Sequence, residues 1–306
     1  MTKFELNILG CGSATSTLRH RPSCQVLNVR DNLFMIDCGE GSQLEMRRMG
    51  LKFSRLNHIF ISHLHGDHCL GLIGLISTIS LLDRKGSLTL HMFKEGVEEF
   101  KRELGFFCPH LAFEVKFNVI GPKKAVIYED HAITVTTIPL LHRVPAVGFI
   151  FAEKTKFKHI NRQAVEYYNI PTYALNAVRA GDDFVAPDGT VIANELITTP
   201  ADLCHNYAYC SDTKFSRRVI NAVKGVEWLY HESTYGDDSA NKAVKRYHST
   251  SRQAAMVAKE AGVKKLILGH FSKRYVSEQP LLDQAKEVFP NTILANEGMT
   301  IDLNNI

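Results

Sequence analysis

Short apolar segments of strand length recur along the first half of the chain. FELNILG, CQVLNV and NLFMID alternate or cluster apolar residues, a pattern typical of β-strands. Segments of the same kind follow at HIFIS, SLTLHMF, FEVKFNVI, HAITVTTIPLL and VGFIFA. The pattern predicts a strand at each of them, with HIFIS fully buried because it is short and rich in β-branched residues.

Helical patterns lie between the strands. Residues 41–49 predict one helix, and CLGLIGLISTISLL, apolar on all sides, predicts a buried one. In the second half, strands are predicted at NYAYCSD, GVEWLYHE and KKLILGH. SRQAAMVAKEAG predicts a helix with Ser249 or Ser251 as N-cap and Gly262 after its last turn. Strands and helices that alternate in two halves predict a single layered α/β domain over residues 1–306.

The pattern changes between residues 151 and 200. This stretch mixes charges, aromatic residues and turn formers, with little periodic apolar content, and predicts an inserted, projecting arm. Four basic residues here, interleaved with Phe157 and His159, can neutralise phosphates: Lys154, Lys156, Lys158 and Arg162. Charge runs are more often a solvated surface, so the pattern alone leaves RNA contact open.

Composition adds little to this interpretation. The net charge of +4 permits a polyanionic partner without requiring one. No apolar stretch approaches the ~20 residues that span a bilayer, and the N-terminus lacks the pattern of a signal peptide. Seven scattered cysteines without a CxxC pair fit a reducing compartment. We therefore expect a cytoplasmic protein without membrane association or structural disulfides.

The strongest chemical signal is the sequence HLHGDH, residues 63–68, which follows the predicted strand HIFIS. Imidazoles and carboxylates are the ligands that zinc prefers in proteins. Other polar residues also end short strand patterns, namely His142, Asp212, His231, Glu232 and His270. In α/β sheets, sites gather where strands end and loops converge. Taken together these positions predict a site with enough ligands for two metal ions.

These motifs carry a resemblance to known proteins. HLHGDH, with IDCGEG before it, resembles the metallo-β-lactamase superfamily. The full set, IDCGEG, HLHGDH, LLHR, CSDT, HEST, HST and LGHFS, resembles the ribonuclease Z family within it, from about Leu9 to Phe271. The resemblance implies an αββα sandwich with a projecting arm, and a homodimer that removes the 3′ trailer from precursor tRNA.

The resemblance also implies roles for individual residues. It places one zinc ion on His63, His65 and His142, and a second on Asp67, His68 and His270, with Asp212 bridging the two; manganese is an alternative metal. Asp37 would orient a ligand imidazole. Asp67 would also act on the attacking water. His248 would donate a proton to the leaving oxygen, with Glu232 holding the imidazole.

Two features depart from the family pattern. The loop after the first strand reads GCGSATSTLRHRPS and lacks the family's proline and lysine, which puts discrimination against mature CCA-ended tRNA in question. A plain basic loop and a tRNA 3′-end loop both remain open for Arg19, His20 and Arg21. The arm also lacks a Gly-Pro pair at its tip. The histidines outside the motifs are interpreted as structural or surface residues: His20, His58, His91, His110, His131, His159 and His205.

Two other functions remain as alternatives. One is another two-zinc phosphodiesterase or esterase of the same fold that acts on a small substrate, which would not need a long basic arm. The other is an RNA-binding scaffold that has lost its metals, which the presence of all seven ligand positions argues against.

Overall fold

A computed structural model describes residues 2–305 of the chain. Contacts divide it into two compact units, one formed by residues 153–204 and the other by the described residues on either side. Within residues 2–305, no helix is both long and apolar enough to cross a bilayer.

Two seven-stranded sheets form the centre of the larger unit. The strands of the first sheet are β1 (Phe4–Gly10), β2 (Cys24–Val29), β3 (Asn32–Ile36), β4 (Leu56–Phe60), β5 (Leu88–Met92), β6 (Val115–Val119) and β18 (Thr300–Asp302). Their order is β18-β1-β2-β3-β4-β5-β6. The sheet is antiparallel from β18 to β3 and parallel from β3 to β6.

The second sheet has the order β17-β16-β15-β14-β9-β8-β7. Its strands are β7 (Val126–Glu129), β8 (Ile133–Pro139), β9 (Val147–Glu153), β14 (Asn206–Cys210), β15 (Trp228–Glu232), β16 (Lys265–Gly269) and β17 (Thr292–Leu294). The four strands from β14 to β17 run parallel. Their carboxyl ends therefore lie at one edge of the sheet, where a site can assemble.

Helices cover the outer faces of both sheets. Those after strands of the first sheet are α1 (Ser42–Arg48), α2 (Gly66–Cys69), α3 (Leu72–Leu81) and α4 (Lys94–Phe107). Those of the second half are α8 (Arg217–Ala222), α9 (Ala240–Arg246), α10 (Ser251–Ala261) and α11 (Gln279–Lys286). The chain also forms 3₁₀ turns at Phe53–Arg55 and Asp237–Ser239.

Alternation along the strands explains the layers. In β3, Phe34 and Ile36 belong to the core shared by the two sheets, whereas Leu33 and Met35 pack in the cluster that also contains α3 and α4 residues. Successive side chains point to opposite faces of a sheet, so such a strand must be covered on both sides. This arrangement is the αββα sandwich that the sequence motifs imply.

Two helical predictions need correction. The apolar run CLGLIGLISTISLL is not one helix, because Leu70 and Gly71 separate α2 from α3. The predicted N-cap of α10 was also wrong. Thr250, not Ser249 or Ser251, has the extended cap conformation, and its hydroxyl accepts a hydrogen bond from Gln253 N in a complete capping box. Gly262 ends this helix at φ 68°, as predicted.

The smaller unit, residues 153–204, has little regular structure. Its elements are α5 (Arg162–Tyr167), α6 (Leu175–Ala180), α7 (Asn194–Ile197), a 3₁₀ turn at Thr172–Ala174, and two-residue strands β10 (His159–Ile160), β11 (Phe184–Val185), β12 (Val191–Ile192) and β13 (Thr198–Thr199). It has its own small core around Ile170, Val178 and Ile197. The predicted arm, residues 151–200, overlaps this unit, and its role as an RNA-binding arm stays a prediction.

Candidate two-metal site

The predicted ligands lie just beyond strand ends in the larger unit. His63 and His65 follow β4, and Asp67 and His68 lie in α2. The others follow strands of the second sheet: His142 after β8, Asp212 after β14 and His270 after β16. The structure brings all seven together in two adjoining groups, of which Asp212 faces both.

The first group consists of His63, His65, His142 and Asp212, whose ligand atoms all lie within 4.8 Å of one another. His65 Nδ1 is 3.0 Å from His63 Nε2 and 3.3 Å from His142 Nε2. Asp212 Oδ2 is 3.5 Å from the Nε2 atoms of both His63 and His142. Three imidazole nitrogens thus face one carboxylate oxygen.

The second group consists of Asp67, His68 and His270, with the other oxygen of Asp212. Asp212 Oδ1 lies 3.3 Å from His68 Nε2 and 3.0 Å from His270 Nε2. Asp67 Oδ2 lies 3.4 Å and 3.6 Å from the same two nitrogens. A single carboxylate, that of Asp212, therefore contacts both groups with separate oxygens.

These residues fit zinc on two independent observations. Tetrahedral bonds of about 2.0–2.1 Å place ligand atoms about 3.3 Å apart, which matches the separations within both groups. In addition, the Nε2 atoms of His68 and His270 are buried without a hydrogen-bond partner. Buried polar nitrogens without partners are costly, and a metal ion at those positions would satisfy them.

In three of the ligand histidines, the other ring nitrogen has a partner that fixes the ring. Asp37 Oδ2 lies 2.7 Å from His68 Nδ1, and Thr234 Oγ1 lies 2.8 Å from His270 Nδ1. The carbonyl of Tyr247 accepts from His142 Nδ1 at 3.0 Å. Each contact leaves Nε2 directed at the site, which is how proteins select the tautomer of a ligand histidine.

Three residues of the site and one neighbour have left-handed backbone conformations. Asp37, Asp212 and His270 have φ values of 56°, 51° and 59°, and Tyr247 has 62°. Such values are uncommon in residues with a side chain and occur where the surroundings hold the backbone in place. Here they turn the three side chains of the site, and the backbone carbonyl of Tyr247, toward the ligand groups.

The two ligand groups differ in the direction in which the pKa values of their histidines are shifted. Burial lowers the pKa values of His63, His65 and His142, which keeps these imidazoles neutral, as metal ligands must be. Burial alone would do the same to His270, but the Asp212 carboxylate raises its pKa to about 10. The pKa of Asp212 lies well below its usual range because His270 and its neighbours outweigh its burial.

Beside the ligands lies an imidazole–carboxylate pair. Glu232, the fully buried last residue of β15, has Oε1 2.9 Å from His248 Nδ1. The Thr213 N–H donates to Oε1 at 2.8 Å and the Thr234 hydroxyl to Oε2 at 2.6 Å. Burial opposes a charge on His248, but the Glu232 carboxylate raises its pKa above the usual value.

An open cavity of about 360 Å³ leads to this site. His65, Asp67, His142, Asp212, His248 and His270 line it, together with Ser13, Ala14 and Thr15 of the loop after β1. Three cations, Arg143, Arg246 and Lys273, also lie at its walls, and we call them the basic rim. All three are exposed, and the described part of the chain offers none of them an ion pair.

The loop cations Arg19, His20 and Arg21 are all engaged by carboxylates. Arg19 contacts Glu278, and Arg21 Nε lies 2.6 Å from Glu45 Oε1. His20 is buried between acidic side chains. None of these three cations is therefore left exposed without a counter-charge. This limits the part they could take in a tRNA 3′-end loop, one of the two interpretations of this segment.

The four basic residues predicted for RNA contact differ in their surroundings. Lys156 Nζ lies 2.8 Å from Glu153 and donates to the Leu203 carbonyl at 2.7 Å, with a side chain only 7% exposed. Lys158 donates to Asn194 Oδ1 at 2.7 Å. Arg162 is exposed at the start of α5, and Lys154 is partly buried. Lys156 therefore has an internal role within the small unit.

Sequence reasoning missed several contributors to the site. Thr234 lies in the HEST motif, but the sequence assigned it no role, although its hydroxyl contacts both Glu232 and His270. Ser62 and Tyr209 both donate to Asp37. The carbonyl of Tyr247 and the basic rim had no sequence signal at all, because backbone groups and single surface cations form no pattern.

Comparisons with known proteins identify relatives of this chain. A family model described as Anti-Pycsar protein Apyc1 matches residues 4–160. Ribonuclease Z of Bacteroides fragilis is 53% identical over 99% of this chain and 100% of its own, and that of Bacteroides thetaiotaomicron 51% identical over 100% and 97%.

Solved structures share the fold. The short form of human tRNase Z has a TM-score of 0.71 at 23% identity, covering 98% of this chain and 99% of its own. The metallo-β-lactamase fold protein YhfI from Bacillus subtilis has a TM-score of 0.68 at 17% identity, with the same coverage. By its full-length relatives and its fold, the chain belongs to the ribonuclease Z family, hydrolytic endoribonucleases of the metallo-β-lactamase fold.

Proposed function

We propose that this chain is a zinc-dependent endoribonuclease that removes the 3′ trailer from precursor tRNA. It leaves a 3′-hydroxyl on the tRNA and a 5′-phosphate on the trailer. The observation that carries the proposal is the position of the His248–Glu232 pair beside two ligand groups that share Asp212. Membership of the ribonuclease Z family supplies the substrate class.

The ligand groups would hold the metal ions that activate the attacking water. Zinc bound at them would lower the pKa of a water molecule and stabilise the charge that develops on the phosphate. Asp67, which lines the cavity, would orient or deprotonate that water. The Asp67 pKa lies below its usual range because contacts with His68 and His270 outweigh the effect of burial, so the carboxylate is ionised and can accept a hydrogen bond from that water.

His248 is the general acid in this proposal. Its Nδ1 is held by Glu232, so Nε2 is the nitrogen left to face the cavity. The Glu232 carboxylate raises the pKa of His248, which favours the protonated ring that a general acid needs. That proton passes to the leaving 3′-oxygen as the phosphorus–oxygen bond breaks, and Glu232 stabilises the imidazolium beforehand. General acids of this kind contribute about 10²–10⁴-fold to a rate.

Replacing His248 by alanine tests this assignment. The variant should lose about 10²–10⁴-fold in kcat on precursor tRNA. It should retain its metal and most of its activity on bis-p-nitrophenyl phosphate, because p-nitrophenolate leaves without protonation. His131→Ala, which removes an exposed histidine, is the matched control. Loss of metal in His248→Ala, or an equal loss on both substrates, would contradict the role.

The basic rim favours a polyanionic substrate. Arg143, Arg246 and Lys273 place three cations without ion pairs around a cavity whose floor is a candidate phosphate-cleaving site. Phosphates on either side of the scissile one would neutralise them, with the release of counterions. A small ester would reach the metal ligands without requiring them.

RNA contact by the small unit is part of the same proposal. The cations that we assign to this contact are Lys154, Lys156, Lys158 and Arg162. Because Lys156 is paired with Glu153, we assign it the least contribution to RNA binding. Arg162→Glu should weaken precursor tRNA binding, with Lys156→Gln as the comparison. Affinity that is unchanged after reversal of all four charges would remove this element.

Location and assembly complete the proposal. All seven cysteines are free thiols in the structure, which agrees with a reducing cytoplasm. Assembly as a homodimer rests on the family resemblance, and sedimentation of the purified chain tests it directly.

A further inference from the structure

A second group of ligand-type side chains lies outside the two-metal site. Cys11 follows β1, His20 lies in the loop that comes next, and Glu297 precedes β18. Cys11 Sγ is 3.4 Å from His20 Nδ1, and His20 Nδ1 is 2.9 Å from Glu297 Oε2. The three ligand atoms all lie within 4.8 Å of one another. Neither the predicted metal sites nor the proposed reaction uses any of them.

The separations suit a zinc ion. Bonds of about 2.3 Å to sulfur and 2.0–2.2 Å to nitrogen or oxygen place tetrahedral ligand atoms about 3.3–3.6 Å apart. The observed values of 3.4 Å and 2.9 Å are close enough for small side-chain movements to complete the geometry. Thiolate, imidazole and carboxylate are also the three ligand types that zinc takes in proteins.

The surroundings hold the Glu297 carboxylate toward His20. The backbone N–H groups of Arg21 and Cys11 donate to Glu297 Oε1, at 2.8 Å and 3.3 Å, and this holds Oε2 toward His20. On the far side of the imidazole, Glu278 Oε1 lies 3.2 Å from His20 Nε2. A carboxylate close to the remaining ring nitrogen is common at zinc-bound histidines, although here the two atoms are not aligned for a hydrogen bond.

Burial distinguishes this group from an ordinary surface ion pair. Cys11 is fully buried and His20 is 7% exposed. Burial and the nearby Glu297 raise the pKa of the Cys11 thiol, so without a metal the sulfur keeps its proton. A divalent ion would displace the thiol proton and the proton shared by His20 and Glu297. The net charge of the buried group would then stay the same, which favours exchange of the protons for the ion.

We propose that Cys11, His20 and Glu297 bind a structural zinc ion separate from the two-metal site, with water as the fourth ligand. The ion would tie the loop after β1 to the segment between β17 and β18. Ser13, Ala14 and Thr15 of that loop line the cavity of the two-metal site, so the ion would fix one wall of it. The inference is independent of the RNA substrate.

Cobalt substitution tests the proposal, because a thiolate bound to Co²⁺ gives an intense near-ultraviolet charge-transfer band. The two-metal ligands are all histidine and aspartate, and among the described residues Cys11 is the only cysteine grouped with other metal ligands. The full chain, stripped of metal and reloaded with Co²⁺, should therefore show the band. Cys11→Ser should lose the band and one metal equivalent, whereas Cys24→Ser, also a buried thiol, should keep both.

Two kinds of result would overturn the proposal. A Co²⁺-loaded chain without the band overturns the proposal, even if Cys11→Ser fails to fold, because the unmodified protein answers the question. A band that survives in Cys11→Ser or in His20→Ala also overturns it. In either case the three residues would form a hydrogen-bonded cluster in which His20 is held between Glu297 and Glu278.

Discussion

Replacing one carboxylate oxygen of Asp37 by an NH₂ group, as in Asp37→Asn, should change metal binding without changing the fold. Its carboxylate accepts four hydrogen bonds: from Ser62 N at 2.7 Å, Ser62 Oγ at 2.9 Å, His68 Nδ1 at 2.7 Å and Tyr209 Oη at 2.7 Å. Replacement by asparagine keeps the shape and tolerates φ 56°, a conformation in which Asn is enriched. The substitution therefore changes hydrogen bonding while the backbone stays in place.

The amide can accept through only one oxygen. If that oxygen still accepts from the Ser62 N–H, the NH₂ group takes the place of Oδ2. The hydroxyls of Ser62 and Tyr209 can rotate to accept hydrogen bonds from it. The N–H at His68 Nδ1 cannot rotate. His68 must then move its proton to Nε2, the atom 3.3 Å from Asp212 Oδ1 that would bind the metal. Loss of such a partner costs about 10–100-fold in metal affinity, or roughly 1.4–2.7 kcal/mol.

Competition with a chromophoric zinc chelator measures this loss. Asp37→Asn should release one zinc ion at about 10–100-fold lower chelator concentration than the unmodified chain, with unchanged circular dichroism. Asp31→Asn is the matched control, because Asp31 also has a left-handed φ of 68° but is exposed, beside Lys3 and Arg55. Equal zinc affinity in Asp37→Asn and the unmodified chain would refute the reasoning.

Three further predictions concern other parts of the fold. Thr250→Ala removes the N-cap of α10 and should lower the free energy of unfolding by about 1 kcal/mol in urea titrations. Burial would raise the pKa of Asp130, but hydrogen bonds from the Ala132 and Ile133 N–H groups hold it below its usual value. Its contribution is thus present above the unfolded pKa of about 3.9 and lost as pH falls through the folded pKa. Asp130→Ala should therefore destabilise the chain at pH 7, and progressively less as pH falls below about 3.9. Reversing the three charges of the basic rim should reduce the salt dependence of kcat/KM for precursor tRNA by about 0.7–0.9 in log–log slope per lost phosphate contact, and leave bis-p-nitrophenyl phosphate unaffected.

The strands and the ligand positions were predictable because they are local. The predicted ligands outside HLHGDH each follow a short apolar run, so the sequence could place His142, Asp212 and His270 beyond strand ends, where sites gather. Their assignment to particular metal ions came from the family resemblance. The helix α10 was equally clear from its periodicity. Its cap was less so, since Ser249, Thr250 and Ser251 all carry the required hydroxyl and only the backbone conformation selects among them.

Other features depend on contacts that sequence patterns do not encode. The His20–Glu297 contact joins residues 277 positions apart, so His20 could only be interpreted as a surface or structural residue. Lys156 looked like one of four equivalent cations until the structure paired it with Glu153. The carbonyl of Tyr247 fixes His142 through the backbone, which any amino acid supplies.

Cleavage of a 3′-extended precursor tRNA by the purified chain tests the central claim most directly. Mature tRNA and bis-p-nitrophenyl phosphate are assayed alongside it, and the ends of the products are mapped. Our account predicts a cut at the discriminator nucleotide that leaves a 3′-hydroxyl and a 5′-phosphate and disappears in His65→Ala. Hydrolysis of the small ester with the precursor left intact would contradict it, and would assign the site to a phosphodiesterase of small substrates.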